Sequence, residues 1–214
     1  MTTADISAPT LSEPQHAALA KVACGVESPT GVVLLCGPTG VGKTLVLDTL
    51  ARAFETRGRT ARRETVTDWL SSGGDLPAVV LADDAHLASD GELATLLGRC
   101  RRGRPAAVVL AGQGRLFSLV ARDTRVEQAV GIRVSLLPGT VADTRALLNR
   151  VLASPVVLLD EAAGNAIHEL AGGMPGAVVR LAELAGVLAS TRPDGRLAAD
   201  DIEAVHRRIA PQAA

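Results

Sequence analysis

An eight-residue stretch, residues 37–44, constrains the fold of this chain more than any other feature. Its sequence, Gly-Pro-Thr-Gly-Val-Gly-Lys-Thr, fits the phosphate-binding loop pattern G-x-x-x-x-G-K-[ST] at every fixed position. The apolar run Val32–Cys36 before it predicts a buried parallel strand, and the helical spacing of apolar residues over residues 43–57 predicts a helix after it. Strand, loop and helix in this order predict a P-loop domain that binds a nucleoside triphosphate.

Each residue type in the loop has a chemical reason. Glycines let the backbone curl until successive N–H groups point at the β-phosphate, and the N-terminus of the next helix adds its positive dipole. The lysine reaches the β- and γ-phosphates, and the threonine hydroxyl is a ligand for Mg²⁺, so ATP and Mg²⁺ are the expected cofactors. Only two of the 22 basic residues, Lys21 and Lys43, are lysine. The expected phosphate-binding residues are Gly37, Pro38, Thr39, Gly40, Val41, Gly42, Lys43 and Thr44, with Thr44 also binding the metal.

The chain around the loop has the pattern of an α/β domain. Apolar runs alternate with helix-like segments, which predicts a doubly wound parallel sheet of five strands flanked by helices. A helix at Glu13–Val26, opened by Ser12, is expected to precede the first strand and to pack beside the nucleotide. The four further strands are predicted at residues 60–66, 78–82, 106–111 and 132–136.

The pattern changes after the fifth strand, where strand-like runs disappear and helix-like stretches remain. This change predicts a small all-helical lid. Its helices are predicted at residues 141–153, 159–171, 176–190 and 198–209. We therefore expect three parts: a flexible N-terminus at residues 1–11, a P-loop nucleotide-binding core at 12–139 and the lid subdomain at 140–210.

The composition indicates which classes of partner and which cellular compartment to expect. The net charge is −1 at pH 7 and aromatic residues make up 1% of the chain, so neither overall charge nor stacking platforms favour nucleic-acid binding, and any DNA contact would be local. Cys24, Cys36 and Cys100 form no C-x-x-C pair and are expected to be buried, reduced thiols. No signal peptide and no apolar run of about 20 residues is present, so we expect a cytoplasmic protein without membrane insertion.

A second chemical feature is a pair of carboxylates after the third predicted strand. Asp83 and Asp84 follow the apolar residues 78–82, in the form of a Walker B element. We expect this strand to lie beside the first one, so that Asp83 binds the Mg²⁺ shell and Asp84 polarises the attacking water. The alternative is an ordinary strand-to-loop transition with two solvated acids.

Several segments occur together in the order and spacing of one family. They are residues 11–19 (Leu-Ser-Glu-Pro-Gln-His-Ala-Ala-Leu), the phosphate loop, 83–87 (Asp-Asp-Ala-His-Leu), 109–113 (Val-Leu-Ala-Gly-Gln) and 172–175 (Gly-Gly-Met-Pro). With them the chain resembles AAA+ ATPases of the secretion-pathway protein A type and their relatives that assist transposition target selection. The resemblance covers residues 11–209, nearly the whole chain.

The resemblance implies further site residues. Gln113 matches the sensor-1 residue, which contacts the γ-phosphate or the attacking water, and its alternative is a polar loop start. The sensor-2 arginine of the lid normally follows the Gly-Gly-x-Pro turn, where this chain has Gly176. Arg180, four residues on and hence on the same helical face, is the candidate replacement or else a solvated arginine. The expected arginine finger before the fifth strand is absent, and Arg122 and Arg125 are nearby alternatives that could equally be surface charges.

The resemblance also implies a function. Such proteins associate with themselves on binding Mg-ATP and engage a protein partner, and DNA is a second kind of partner to test. Asp84 stands where the family has glutamate, and its shorter side chain displaces the carboxylate by about 1.5 Å, which can cost roughly a hundredfold in rate. We therefore expect a weak ATPase, and the rival hypothesis is a non-hydrolysing nucleotide-binding scaffold or regulator.

Two arginine clusters are candidate contacts to DNA or to an acidic protein surface. Their alternative is a helix C-terminus and exposed loops in which cations are simply solvated. Trp69, between the second and third strands, is predicted on a small helix packed against the sheet. The clusters are Arg99, Arg101, Arg102 and Arg104, and Arg59, Arg62 and Arg63.

Overall fold

The computed structural model describes residues 11–102, 106–152 and 158–209. It divides the chain into two compact units, residues 1–137 and 138–214, each with its own buried apolar cluster. Residues 1–10 of the predicted flexible N-terminus lie outside the described residues, whereas Leu11, at its end, is buried.

A parallel sheet of five strands forms the centre of the first unit. In space the strands follow the order β2-β3-β4-β1-β5, and all neighbouring pairs are parallel. The predicted strands and the α/β class are confirmed, with boundaries within one residue. The strands are β1 (Val32–Cys36), β2 (Ala61–Thr65), β3 (Val79–Asp83), β4 (Ala107–Gly112) and β5 (Ile132–Ser135).

The expectation that the third strand lies beside the first is wrong. β4 lies between them, with Val108 paired to Val32 on one side and to Val80 on the other. β4 is almost entirely buried and apolar, which suits a central position, whereas β2 carries Arg62 and Arg63 and lies at the edge, where charged side chains stay accessible to water.

Six helices flank this sheet in the described part of the first unit. Trp69, on the short helix α3, is fully buried in the same apolar cluster as Leu34 and Leu96, and its Nε1–H donates to the Leu81 carbonyl at 3.4 Å. The prediction of a small helix packed on the sheet is thereby confirmed. The helices are α1 (Glu13–Val26), α2 (Lys43–Glu55), α3 (Val66–Ser71), α4 (Glu92–Arg101), α5 (Arg115–Arg122) and α6 (Thr124–Ala129), with a 3-10 helix at Ala85–Leu87.

The three cysteines differ in burial. Burial raises the pKa of the Cys36 and Cys100 thiols to about 11 each, so both stay protonated near neutral pH. The expectation of burial is wrong for Cys24, which is exposed, because α1 turns its face with Ala18 and Val22 inward and position 24 falls on the other side.

In the described part of the second unit, residues 138–152 and 158–209, there are four helices. They are α7 (Val141–Val151), α8 (Glu161–Ala171), α9 (Pro175–Ser190) and α10 (Ala199–Ile209). Their core is rich in alanine, including Ala182, Ala185 and Ala189 on α9, and small side chains let helices approach closely. The helical character predicted for this part is confirmed. It also contains a parallel pair of strands, β6 (Leu158–Leu159) and β7 (Arg196–Leu197), which are too short to produce an alternating sequence pattern.

Candidate nucleotide-binding site

The phosphate loop joins the end of β1 to the first residue of α2. Gly40 and Gly42 have φ values of +80° and +100°, which residues with a Cβ rarely adopt. The backbone therefore has the curled form that the sequence pattern predicts. Pro38, Thr39 and Gly40 are exposed at the tip of the loop, Gly37 and Gly42 are half-buried, and Val41 is buried.

Lys43 lies under the loop with its side chain directed back along it. Its ammonium donates to the carbonyls of Gly37 and Pro38 at 2.9 Å each, and the residue is only 8% exposed. Burial lowers the Lys43 pKa, and the charge of Asp83 offsets part of this effect. The ammonium is thus held among loop carbonyls at the place where the sequence predicts phosphate oxygens.

Gln15, on the first turn of α1, is a site residue that the sequence reasoning missed. Its side chain is buried, donates to the Val41 carbonyl at 2.9 Å and accepts from the Ser12 backbone N–H at 2.9 Å. A Cβ on Gly42 would lie 2.2 Å from Gln15 Nε2. The Ser-x-x-Gln capping-box pattern was the available signal, but nothing in it indicates that the glutamine also contacts the loop.

The structure brings together the two predicted metal ligands. The Thr44 hydroxyl donates to Asp83 Oδ2 at 2.8 Å, although Asp83 lies on β3, two strands from β1. A hydroxyl and a carboxylate suit Mg²⁺, which prefers oxygen ligands and fills its remaining positions with phosphate oxygens and water. The described residues contain no group of three or more acidic, histidine or cysteine side chains that could hold a metal.

Arg63 is a second group on the Asp83 carboxylate. It donates to Asp83 Oδ2 at 3.3 Å and to Asp48 Oδ1 at 2.6 Å, so it bridges β3 and α2. Hydrogen bonding to Asp48 is the main reason why the pKa of the Arg63 guanidinium is raised. Asp83 Oδ2 therefore accepts from both the Thr44 hydroxyl and the Arg63 guanidinium.

Asp84 has the backbone strain that its neighbour lacks. Its φ and ψ are 48° and 31°, and it is the one non-glycine residue with positive φ in the described ranges. Asp tolerates this left-handed conformation better than most residues. Its backbone N–H donates to Asp83 Oδ1 at 3.0 Å, and its side chain is 55% exposed, so the carboxylate is accessible for the role predicted for it.

Gln113 follows β4 directly, as predicted. Its Nε2 lies 3.0 Å from Nε2 of His86, in the 3-10 helix after the acidic pair. Gly112 makes this approach possible, because a Cβ there would lie 2.9 Å from the His86 backbone nitrogen. The sequence reasoning used His86 only as part of a family motif and did not place it in the site.

The three arginines proposed from the resemblance have different surroundings. Arg180 lies on α9 in the second unit and is exposed. Arg125 makes two hydrogen bonds to the Asp123 carboxylate, at 3.1 and 2.8 Å. Arg122 forms a 3.9 Å ion pair with Asp90, its one partner within the described ranges, and its side chain is 70% exposed.

The two arginine clusters are largely engaged within the chain. Arg99 donates to the carbonyls of Trp69 and Ser72 and so caps the end of α3. In the second cluster Arg59 pairs with Glu27, and Arg62 pairs with Glu64 at 2.9 Å and stacks on Trp69 at 4.5 Å. Arg101 and Arg102 are exposed, whereas Arg104 lies outside the described residues.

The described residues also contain no helix that is both long and apolar enough to span a bilayer.

Comparison with known proteins identifies the fold. No model of a known protein family matches the chain, and no curated protein sequence does so. Solved structures do match. One is the Holliday junction branch migration motor RuvB of Thermotoga maritima (19% identity, TM-score 0.64), and its alignment covers 91% of this chain and 69% of the RuvB chain. The ORC1 protein of Aeropyrum pernix in complex with DNA (19%, TM-score 0.68) covers 96% and 68%, and the ORC2 protein of the same organism (15%, 0.67) covers 96% and 70%. The chain therefore shares its fold, a five-stranded parallel sheet flanked by helices with a helical part after it, with these proteins.

Proposed function

We propose that this chain is an ATP-dependent switch that binds Mg-ATP at the phosphate loop, hydrolyses it slowly and associates with itself to engage a protein partner. The contact of Thr44 with Asp83 at 2.8 Å, beside the buried Lys43, carries the proposal. Thr44 and Asp83 would hold Mg²⁺, and Lys43 would hold the β- and γ-phosphates. When bound, the metal neutralises charge that develops on the phosphate oxygens.

Two of the similar structures contain ligands that are worth testing with this chain. One contains ADPNP–ADP complexes and one is a complex with DNA. Within this fold, the segments at residues 83–87, 109–113 and 172–175 favour a relationship to the secretion-pathway protein A and transposition-helper types. We keep a protein as the first partner to test and DNA as the second, because most arginines of the two clusters already have partners in the chain.

Nucleotide binding is tested by calorimetric titration of ATP with and without Mg²⁺. Lys43→Ala is expected to weaken binding at least about tenfold, since each charge-assisted hydrogen bond is worth roughly 1.5–3 kcal/mol. Lys21→Ala is a matched control, because Lys21 is the other lysine and is exposed on α1. Asp83→Asn is expected to weaken binding only when Mg²⁺ is present. Equal affinities for Lys43→Ala and the control would contradict the phosphate assignment.

Hydrolysis is tested by ATP turnover per protomer across a range of protein concentrations. We expect a rate that rises with concentration, stays below about 10 s⁻¹, an ordinary enzyme median, and is lost in Asp84→Asn. Faster turnover would contradict the argument from the short Asp84 side chain. A flat rate near zero, despite ATP binding, would favour the non-hydrolysing scaffold instead.

The two candidate arginine fingers differ in how firmly other residues of the chain hold them. A finger must reach a neighbouring subunit, so the less engaged side chain is the better candidate. Arg122 forms a long ion pair with Asp90, whereas Arg125 is held by two hydrogen bonds from its guanidinium to Asp123. We therefore assign the finger to Arg122, and Arg180 stays the proposed sensor-2 residue.

A further inference from the structure

His86 is held close to both proposed catalytic side chains by its backbone. Its backbone nitrogen packs against Gly112 at the end of β4, and its carbonyl accepts from the guanidinium of Arg115 on α5. The residue is 8% exposed. An imidazole fixed in this way has little freedom to change its neighbours.

The contact with Gln113 favours one of the two tautomers of the neutral imidazole. Gln113 Nε2 lies 3.0 Å from His86 Nε2, and an amide nitrogen only donates, so His86 Nε2 accepts and the ring proton is on Nδ1. If the amide were turned, the Nδ1 lone pair would face the Asp84 carboxylate with no proton between two acceptors. The arrangement with Nδ1–H is therefore favoured.

The Nδ1 atom has a donor hydrogen and no acceptor. It is buried without a hydrogen-bond partner as far as the described residues extend, and Asp84 Oδ1 lies 3.9 Å from it. A buried donor without an acceptor costs roughly 1–3 kcal/mol. The Asp84 side chain is largely exposed, and a rotation that brings Oδ1 about 1 Å closer would give an ordinary hydrogen bond.

We propose that His86 is a positioning residue that orients both Gln113 and Asp84 in the site. Its Nε2 accepts from the Gln113 amide, which leaves Gln113 Oε1 and the second amide hydrogen available to water or phosphate. Its Nδ1–H binds Asp84 Oδ1 and holds that carboxylate in one orientation toward the attacking water. The role of His86 in hydrolysis rests on the proposed ATPase function. The position of the imidazole proton in the free protein does not depend on that function.

The proton position is tested by nitrogen-15 NMR of the imidazole rings at pH 8. The chain has four histidines, and the His86 signals are those lost in His86→Gln. We expect Nδ1 to be protonated in the free protein, and an Nδ1–H signal that shifts on saturation with Mg-ATPγS in the wild type but not in Asp84→Ala. A proton on Nε2, or the same shift in Asp84→Ala, would overturn the proposal.

The consequence for hydrolysis is tested in single-turnover assays with two isosteric variants. His86→Asn keeps an N–H donor near the Nδ1 position, whereas His86→Gln keeps a polar atom near Nε2 and loses the donor to Asp84. We expect His86→Gln to lower the hydrolysis rate at least about tenfold, within the range of acid–base positioning effects, with the Kd of Mg-ATP changed less than twofold. His86→Asn is expected to lose less, because it keeps the donor to Asp84.

The controls separate this proposal from the proposed function. Urea unfolding followed by Trp69 fluorescence shows whether each variant is folded. If the folded wild type does not bind ATP, the proposed function is wrong. The hydrogen bond between His86 and Gln113 is then still tested by the proton position measured in the free protein. An unchanged hydrolysis rate in His86→Gln, or an equal loss in rate and in Mg-ATP affinity, would overturn the role of His86.

Discussion

The contact between α1 and the phosphate loop predicts a specific coupling between Gln15 and Gly42. In Gly42→Ala, the new Cβ would lie 2.2 Å from Gln15 Nε2, where ordinary contact begins at 3.4 Å. The amide would move by roughly 1.2 Å, enough to break its 2.9 Å hydrogen bond to the Val41 carbonyl. Loss of that buried bond costs about 1–3 kcal/mol, and the left-handed backbone of an alanine adds about 1–2 kcal/mol.

We therefore expect Gly42→Ala to lower the free energy of unfolding by roughly 2–5 kcal/mol. Gln15→Ala alone loses the same hydrogen bond, about 1–3 kcal/mol, and also makes room for the new methyl group. The double variant is expected to be less destabilised than the sum of the single variants by about 1–3 kcal/mol, because one bond is lost only once.

Gly40→Ala is the matched control for this cycle. Gly40 also has a positive φ, but no atom lies within 4 Å of the position where its Cβ would be. It is expected to show backbone strain alone, about 1–2 kcal/mol, and no coupling to Gln15. Urea unfolding followed by Trp69 fluorescence, in the absence of nucleotide, measures the free energy of unfolding of the three single variants and of the two double variants that combine Gln15→Ala with each glycine substitution. Full additivity of Gly42→Ala and Gln15→Ala, or equal costs at the two glycines, would refute the reasoning.

Two further predictions concern the core of the first unit and a partly exposed ion pair in the second. Trp69→Ala is expected to destabilise the first unit by roughly 3–5 kcal/mol in a circular dichroism melt, because a fully buried side chain leaves a cavity, and a cost under about 1 kcal/mol would show that the site collapses freely. In the second unit, Arg192 hydrogen-bonds to Asp201 and lowers the pKa of that carboxyl below its usual 3.8. A depressed carboxyl pKa stabilises the fold above the unfolded value and loses this effect as the pH falls through the folded one. Arg192→Ala is thus expected to reduce stability at pH 7 but not at pH 2, relative to Arg196→Ala, and a pH-independent difference would contradict it.

The positions of several site residues could be predicted because these residues lie in short segments with recognisable patterns. The loop pattern predicted Lys43 and Thr44 beneath a curled backbone, and the apolar run ending at Asp83 predicted a carboxylate at the carboxyl edge of the sheet. Parallel strands present their carboxyl ends at one edge, so Thr44 and Asp83 meet at 2.8 Å across 39 residues of sequence. The two side chains lie together even though the assumed strand neighbour was wrong, because the shared edge matters more than the strand order.

Contacts between distant segments could not be predicted in this way. The capping box identified the start of α1 but not the reach of Gln15 to a loop carbonyl 26 residues away. The arginine run at the end of α4 is compatible both with solvated side chains and with side chains that cap α3. The structure shows that Arg99 caps α3. His86 had no periodicity or spacing that would separate it from a surface residue.

The sequence by itself determined the curled loop between β1 and α2, the five parallel strands and the helical second part of the chain. These features depend on hydrophobic period and on residue types within a few positions of one another, which act locally. Only the tertiary structure decided that β4 separates β1 from β3, that Gln15 holds the loop, and that the His86 ring lies between Gln113 and Asp84. Each of these depends on which surfaces pack together, and the free energy of packing is shared among side chains far apart in the chain, where no local pattern records it.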